Sequence, residues 1–336
     1  TTIKNCLEKK SSFKLTKMDN CIVFSLPKSN VFFRFIIGEG DSFFDFISFE
    51  NQASPVSFKG TIQQVYLHDL QMNWCANKTD VKSTDFYDYE NAFFQIQNQI
   101  KLGVVSKVIL SKISVKDVHL DFSQIKNILL RLRDKNPNAF IYFFSTENSG
   151  TWIGASPELL IKKQNQTAQT IALAGTKFLL NEKWTNKEFE EQKIVADYIV
   201  GILKKYQLDF IQSNLETLQS GAIYHLANTF KIDNFDDGLL QCFLKDFHPT
   251  PAISGFPKQN SIEVIKSVEK HLRRYYCGYI GVKINQDIYY FINLRCAEFF
   301  QNKVVAYSGG GITSDSVCEK EWMECNKKSE AILSVL

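Results

Sequence analysis

No Cys-x-x-Cys pair and no cysteine–histidine cluster at zinc-ligand spacing occurs in this sequence, although it holds eight cysteines, at positions 6, 21, 75, 242, 277, 296, 318 and 325. That excludes the common zinc modules and dithiol redox motifs and fits thiols kept reduced inside a cell. Long apolar runs are also missing: none approaches the ~20 residues that cross a bilayer. The first fifteen residues, TTIKNCLEKKSSFKL, are charged within the first ten and lack the apolar core of a signal peptide. Charge of one sign is scarce as well. The net charge is +3, lysines are dispersed, and aromatics sit in apolar runs, so neither a nucleic-acid nor a membrane partner is expected. Pro/Ser-rich linkers, low-complexity tracts and clear internal repeats are absent. A soluble cytoplasmic protein built as one compact unit, monomer or weak dimer, is the expectation.

What is present is apolar content, 44% of 336 residues, enough for a large core. Residues 20–65 alternate short apolar runs (CIVFSL, VFFRFII, FFDFISF) with turn residues such as Pro27, Gly38, Gly40 and Pro55, the pattern of successive strands. We therefore assign 1–84 as a strand-rich N-terminal region packed on the same domain as 85–336. Beyond it helices and strands alternate. Helices are predicted over 85–102, 122–133, 186–205, 261–274 and 319–335. Strands are predicted in VSKVILSKISV, AFIYFFS, TWIGASPELLIKK and TIALAGT, around 222–228, and as a hairpin in YIGVKINQDIYYFINLR. The fold class is α+β, with large antiparallel sheets flanked by helices in a single compact domain.

The stretch AYSGGGITSDSVCEKEWMECNKK, residues 306–328, joins three glycines to an acidic helix start. Read as a loop, Gly309, Gly310 and Gly311 would let an anionic group approach backbone amides. Glu321 and Glu324, with Lys328 four residues on, share one helical face. Glu188 and Glu191 repeat the spacing in NKEFEEQKIVADYIVGILKK, where Phe189, Ile194, Val195, Tyr198, Ile199 and Ile202 mark the buried stripe. Two such helices facing each other suit Mg²⁺, which keeps several waters and takes few protein carboxylates. Solvated glutamates on amphipathic helices are the alternative, because charged residues mostly stay exposed.

Nine blocks follow in fixed order: SKVILSK (106–112), GASPELL (154–160), LAGT (173–176), KEFEEQKIV (187–195), YHLANT (224–229), HPTPAISGFP (248–257), YYCGYIG (275–281), LRCAEF (294–299) and SGGGIT…EWMECNKK (308–328). The series resembles the chorismate-utilising enzymes, and within them the isochorismate synthases, over about residues 85–336. The resemblance implies the chorismate-binding fold of aminodeoxychorismate synthase, with 85–336 as the catalytic region. Anthranilate synthases typically carry Gln at the position of Lys107, whereas isochorismate and salicylate synthases carry Lys. Aminodeoxychorismate synthases typically read PIKGT where this chain reads ALAGT, so their covalent lysine is replaced by Ala174. Both differences favour water over ammonia as nucleophile, and no glutamine amidotransferase partner is expected.

The resemblance further implies Lys107 as the base that activates water and Glu158 as the acid that protonates the departing hydroxyl. It implies Glu191 and Glu324 as Mg²⁺ ligands, with Glu188 and Glu321 auxiliary or acting through water. Arg295 and Tyr276 would hold the enolpyruvyl carboxylate, His225 would lie near the ring, and Gly175, Thr176, Gly309, Gly310, Gly311 and Lys328 would supply further substrate contacts. Without the resemblance, Lys107 reads equally as an exposed strand residue, Glu158 as an acid at a helix start after Pro157, and His225 as a core histidine. One departure stands out: Gln192 follows Glu191 where the family usually has His. The expected function is Mg²⁺-dependent conversion of chorismate to isochorismate, serving menaquinone or siderophore synthesis. A salicylate synthase, or a catalytically silent chorismate-binding protein, are the alternatives.

Overall fold

The computed structural model describes residues 20–336 apart from 71–73, 75–76, 119–120 and 221–222. The charged N-terminal stretch, Cys6, Cys75 and the start of the strand expected from 222 lie outside the described residues. The chain opens with strands β1 (Cys21–Ser25), β2 (Phe32–Ile47) and β3 (Val56–Val65). Next come α1 (Phe86–Lys101), β4 (Lys107–Asp117), α2 (Phe122–Lys135), β5 (Phe140–Thr146), β6 (Gly150–Ser156), β7 (Leu159–Gln164) and β8 (Thr167–Lys177). They are followed by α3 (Asn186–Lys205), β9 (Phe210–Gln212), β10 (Glu216–Ser220), β11 (Ile223–Ile232), α4 (Asp237–Phe247), β12 (Gly255–Phe256) and α5 (Lys258–Val268). The chain closes with β13 (Tyr279–Ile284), β14 (Asp287–Ile292), β15 (Cys296–Phe299), β16 (Lys303–Ile312) and α6 (Cys318–Leu333).

The strands hydrogen-bond in one path, β10-β11-β8-β7-β14-β13-β2-β1-β5-β6-β15-β16-β4-β12, with β3 added on β2 and β9 on β11. Every pairing is antiparallel, as an α+β fold predicts. The two N-terminal strands lie inside this path: β2 pairs β13, and β1 pairs β5. Their residues Ile22, Phe24, Phe44 and Phe46 are fully buried. Phe46 stacks on Tyr275 with ring centroids 4.3 Å apart, so the first strands are part of the main core.

Helix boundaries follow local chemistry. Asp85 caps α1 by accepting from the Asp88 N–H, and Tyr89, Ala92, Phe93 and Ile96 form its buried face. On α3 the stripe is displaced: Phe189 is exposed, and Glu191 and Gln192 are buried in its place above Val195 and Ile199. The helix predicted to 274 ends at Val268, because Glu269 turns extended and buries its carboxylate. Its oxygens accept from Ser111 N–H at 2.7 Å and from the fully buried Arg273 at 2.7 and 2.9 Å. Burial pushes that carboxyl up, but the guanidinium holds it below the usual range. Arg273 also donates to the carbonyls of Ile253 and Ile109, which fixes the start of β4. Gly255, at φ +128°, lets β12 close on the same strand, since a Cβ there would lie 2.1 Å from the Lys107 carbonyl oxygen.

Removing one member of the Glu269–Arg273 pair leaves an uncompensated buried charge. Arg273→Met is expected to cost about 3–5 kcal/mol, read as a lower urea midpoint with an unchanged slope.

Candidate active site

β4 and β16 run antiparallel through ten consecutive pairs, from Lys303↔Asp117 to Ile312↔Val108. This ladder contains Gly309, Gly310 and Gly311, which face Ser111, Leu110 and Ile109. The expected glycine loop is therefore a strand, paired with β4 along one edge, and Gly309 and Gly311 lie in the lining of the cavity described next. The glycines serve by what they leave out. A Cβ on Gly311 would lie 2.3 Å from Glu191 Oε1 and 3.1 Å from Lys107 Cε. One on Gly310 would lie 3.1 Å from Glu321 Oε2 and 3.9 Å from Glu324 Oε1, and one on Gly309 would lie 2.9 Å from the Tyr276 hydroxyl. Bare backbone thus allows α3 and α6 to bring carboxylates down onto the strand.

Beside these glycines opens a cavity lined by Glu158, Gly175, Thr176, Glu191, His225, Tyr276, Arg295, Gly309, Gly311 and Lys328. The residues come from both ends of the strand path, β8 and β11 on one side and β16 on the other, so the bent sheet brings its two ends together here. Ala174 also lines the cavity. Lys107, Gly310, Glu188, Glu321 and Glu324 do not line it. Lys107 is fully buried behind the wall, its Nζ 3.0 Å from Glu191 Oε1 and with no hydrogen-bond partner of good geometry. The reading of Lys107 as an exposed strand residue is thereby excluded. So is that of Glu158 as a helix-start acid, because Pro157 and Glu158 link β6 to β7.

Electrostatics divides the cavity. Burial pushes the Glu158 carboxyl up to about 7, against the pull of Lys107 and Lys328. His225 is driven down to about 3 by burial and by the cations Arg295 and Lys328, so it is neutral. The Gly175 carbonyl 2.8 Å from its Nδ1 accepts only, which puts the ring proton on Nδ1 and leaves Nε2 as acceptor. Thr176 Oγ1 stands 3.5 Å from the same nitrogen. Arg295 donates to the Ser220 carbonyl at 2.9 Å, and burial lowers it to about 10 with no carboxylate acting to raise it again. Burial also raises the Tyr276 phenol, which stays a donor. One wall therefore offers an unpaired guanidinium and a phenol, which suit a carboxylate.

Glu191 lines the cavity, and Glu321 and Glu324 stand behind it, beyond the glycine strand. Lys187 Nζ lies 2.5 Å from Glu321 Oε1, and Lys328 Nζ lies 2.7 Å from Glu324 Oε1 and donates to the Gly309 carbonyl at 3.0 Å. Burial opposes ionisation of Glu191, yet Lys107 and Lys187 hold it below the usual carboxylate range. Glu321 is pushed up to about 7 by burial and by repulsion from Glu324 and Glu191, despite Lys187. Its Oε2 is buried with no hydrogen-bond partner. Glu188 is turned away, its Oε2 accepting from the Thr185 N–H at 2.8 Å and hydroxyl at 2.6 Å at the start of α3. Among the described residues no three acidic, histidine or cysteine side chains converge as a ready-made metal cage. Oxygens crowded over side-chain-free backbone, one of them orphaned, nonetheless fit a cation that takes few protein ligands.

Sequence reasoning named neither Tyr307 nor Leu294 of the cavity lining, although both lie in quoted stretches, AYSGGG and LRCAEF. It also missed Lys187, although its place four residues before Glu191 was a usable signal. Gln192, the departure after Glu191, donates to Asn228 Oδ1 at 2.6 Å and so ties α3 to β11.

Residues 56–336 match the sequence model of a family described as "Chorismate binding enzyme". The chain is 29% identical over 248 residues to the isochorismate synthase EntC of Escherichia coli K12, covering 69% of this chain and 62% of EntC. It is 24% identical over 295 residues to anthranilate synthase component 1 of Acetivibrio thermocellus, covering 83% of this chain and 58% of that protein. Among solved structures, MenF, the menaquinone-specific isochorismate synthase of Escherichia coli, superposes with a TM-score of 0.77 at 17% identity, covering 95% of this chain and 89% of MenF. The fold is therefore shared, while the chain spans only about three fifths of the length of these two curated relatives.

The glycine strand is testable on its own. Gly311→Ala should lower stability by about 1–3 kcal/mol, the usual cost of overpacking, and Gly310→Ala by less, because its nearest neighbour is a carboxylate end 3.1 Å away. Denaturant titration of both variants checks the order; equal stability of Gly311→Ala and the parent would contradict the close approach.

Proposed function

The chain belongs to the chorismate-binding enzyme family, and from that premise we propose that it is an isochorismate synthase, adding water at C2 of chorismate with loss of the C4 hydroxyl. The observation that carries this reading is one cavity in which Glu158, its carboxyl pushed up to about 7, accompanies a buried Arg295 without a carboxylate partner. Water as nucleophile is supported by Lys107 and Ala174, which stand where the ammonia users of the family carry Gln and Lys. The homologue and structural neighbour named isochorismate synthase point the same way.

Each residue then has a task. Arg295 and Tyr276 pair the enolpyruvyl carboxylate, relieving a guanidinium that burial leaves costly to keep unpaired. Neutral His225 presents Nε2 as an acceptor toward a ring hydroxyl. The Lys107 nitrogen, with donors left over and no hydrogen-bond partner, is where a water can be held, and as the free amine it takes that water's proton. Glu158 in its protonated form gives a proton to the leaving hydroxyl, so one water enters and one departs. Glu191 and Glu324, aided by Glu321, would hold Mg²⁺. That ion supplies neutralisation of the substrate's ring carboxylate and a fixed orientation for it. Glu188, committed to the helix start, contributes at most through its second oxygen. Menaquinone or siderophore supply is the corresponding cellular role, with no amidotransferase subunit and a monomer or weak dimer as the working unit.

Incubation with chorismate and Mg²⁺, followed by chromatography, should give a chorismate–isochorismate mixture approached from either side with little pyruvate. Stoichiometric salicylate and pyruvate would make it a salicylate synthase; no turnover would make it a silent binder.

Lys107→Ala should lower turnover by roughly 10²–10⁴ while chorismate binding changes little. Arg295→Ala should instead weaken binding by about 1.5–3 kcal/mol. Equal binding defects in the two would refute this division of labour. Glu191→Ala, Glu324→Ala or excess chelator should each abolish turnover, and full activity in chelator would refute the metal. Because Glu158 must be protonated to act and its carboxyl lies near 7, kcat/KM should fall as pH rises above neutrality. A profile flat to pH 9 would assign the acid elsewhere.

A further inference from the structure

Three lysines meet three carboxylates beside the cavity: Lys107 with Glu191 at 3.0 Å, Lys187 with Glu321 at 2.5 Å, and Lys328 with Glu324 at 2.7 Å. Two of them have tasks above. Lys107 is the base, and Lys328 lines the cavity and anchors the Gly309 carbonyl. Lys187 has none: it does not line the cavity, so substrate contact does not account for it. It sits in the first turn of α3, one turn before Glu191, and reaches across to the first turn of α6. There it takes Glu321 Oε1, while the other oxygen of that carboxylate, 3.1 Å from the Cβ position of Gly310, has no partner.

We propose that Lys187 is a built-in counter-ion for the metal site: its ammonium holds Glu321 and joins α3 to α6 until a divalent cation binds, and it must withdraw from that carboxylate when one does. The inference rests on the metal reading above and adds a residue that sets metal affinity without touching substrate. Physically, a cation arriving at Glu191, Glu321 and Glu324 finds Glu321 and Glu324 already paired with the ammonium groups of Lys187 and Lys328. It gains little net attraction unless one ammonium leaves. Lys187 is the one free to leave: Lys107 is fully enclosed, and Lys328, although as exposed as Lys187, is also tied to the Gly309 carbonyl. The stem is long and flexible, so withdrawal requires only rotation toward solvent.

The test measures Mn²⁺ binding without chorismate, by electron paramagnetic resonance, in the parent, Lys187→Met and Lys187→Arg. Thermal unfolding is recorded with and without the ion. Lys187→Met should bind Mn²⁺ roughly ten- to a hundredfold more tightly, the scale of one partly buried charge pair. It should also be less stable than the parent without metal and recover when metal is added. Lys187→Arg, which keeps the charge, should stay close to the parent. If Lys187→Met unfolds, Lys187→Gln gives the same comparison with a neutral donor in place. Unchanged or weaker Mn²⁺ binding in the neutral variants, beside saturable binding in the parent, would overturn the role of Lys187 and leave the metal reading standing. Tightening by Lys187→Arg equal to that by Lys187→Met would also overturn it. No Mn²⁺ binding in the parent or any variant would overturn the metal reading and this proposal together.

Discussion

The constraint on which the site depends is the register between β4 and β16. Ten consecutive pairs put Ile312 opposite Val108 and Gly311 opposite Ile109, next to the Lys107 that starts β4. Slipping either strand by one residue would turn the alternate face toward α3 and α6 and present side chains where the glutamates now touch bare backbone. The register is secured away from the cavity as well. Arg273 bonds the Ile109 carbonyl, Glu269 takes the Ser111 amide, and β12 pairs Lys107 and Val108. A fully buried ion pair, weak evidence for stability by itself, here has a positional task.

How legible this was depended on the kind of signal. Amphipathic helices were plain in sequence: the α3 span was predicted residue for residue, and α1, α2 and α6 within a few residues, because one apolar stripe and a polar start mark each. α4 was missed: its Leu240, Phe243, Leu244 and Phe247 lie in a stretch to which no element was assigned. The end of α5 was overrun because Glu269 and Arg273 look helical by spacing, and their burial against β4 is a tertiary matter. The glycine strand was misread for a sound local reason. Three glycines in a row disfavour a strand, and only the carboxylates of two distant helices explain why side chains are excluded there.

Site residues were legible through ordered motifs more than through their own patterns. Glu191, Glu324 and Lys328 had helical spacing behind them, whereas His225, Arg295 and Tyr276 sit in strands or links whose local sequence says nothing of a common cavity. Their electrostatic states belong to the fold. Neutral His225 and a Glu158 near 7 both follow mainly from burial, which no spacing rule reports. The one misdirected side chain, Glu188, shows the opposite limit: its spacing suits a metal, but the open N-terminus of α3 claimed it first.

The place of β1 and β2 within the strand path bears on how such a chain reaches its fold. β2 completes its ladder only with β13, where Phe44 meets Val282 and Ile47 meets Tyr279. More than two hundred residues must therefore be synthesised before an early strand finds its neighbour. Contacts this distant in sequence slow folding and leave apolar strand edges unpaired meanwhile. On a ribosome, the aromatic run FFDFISF would emerge long before the segment that covers it, making the early chain a natural client for chaperones.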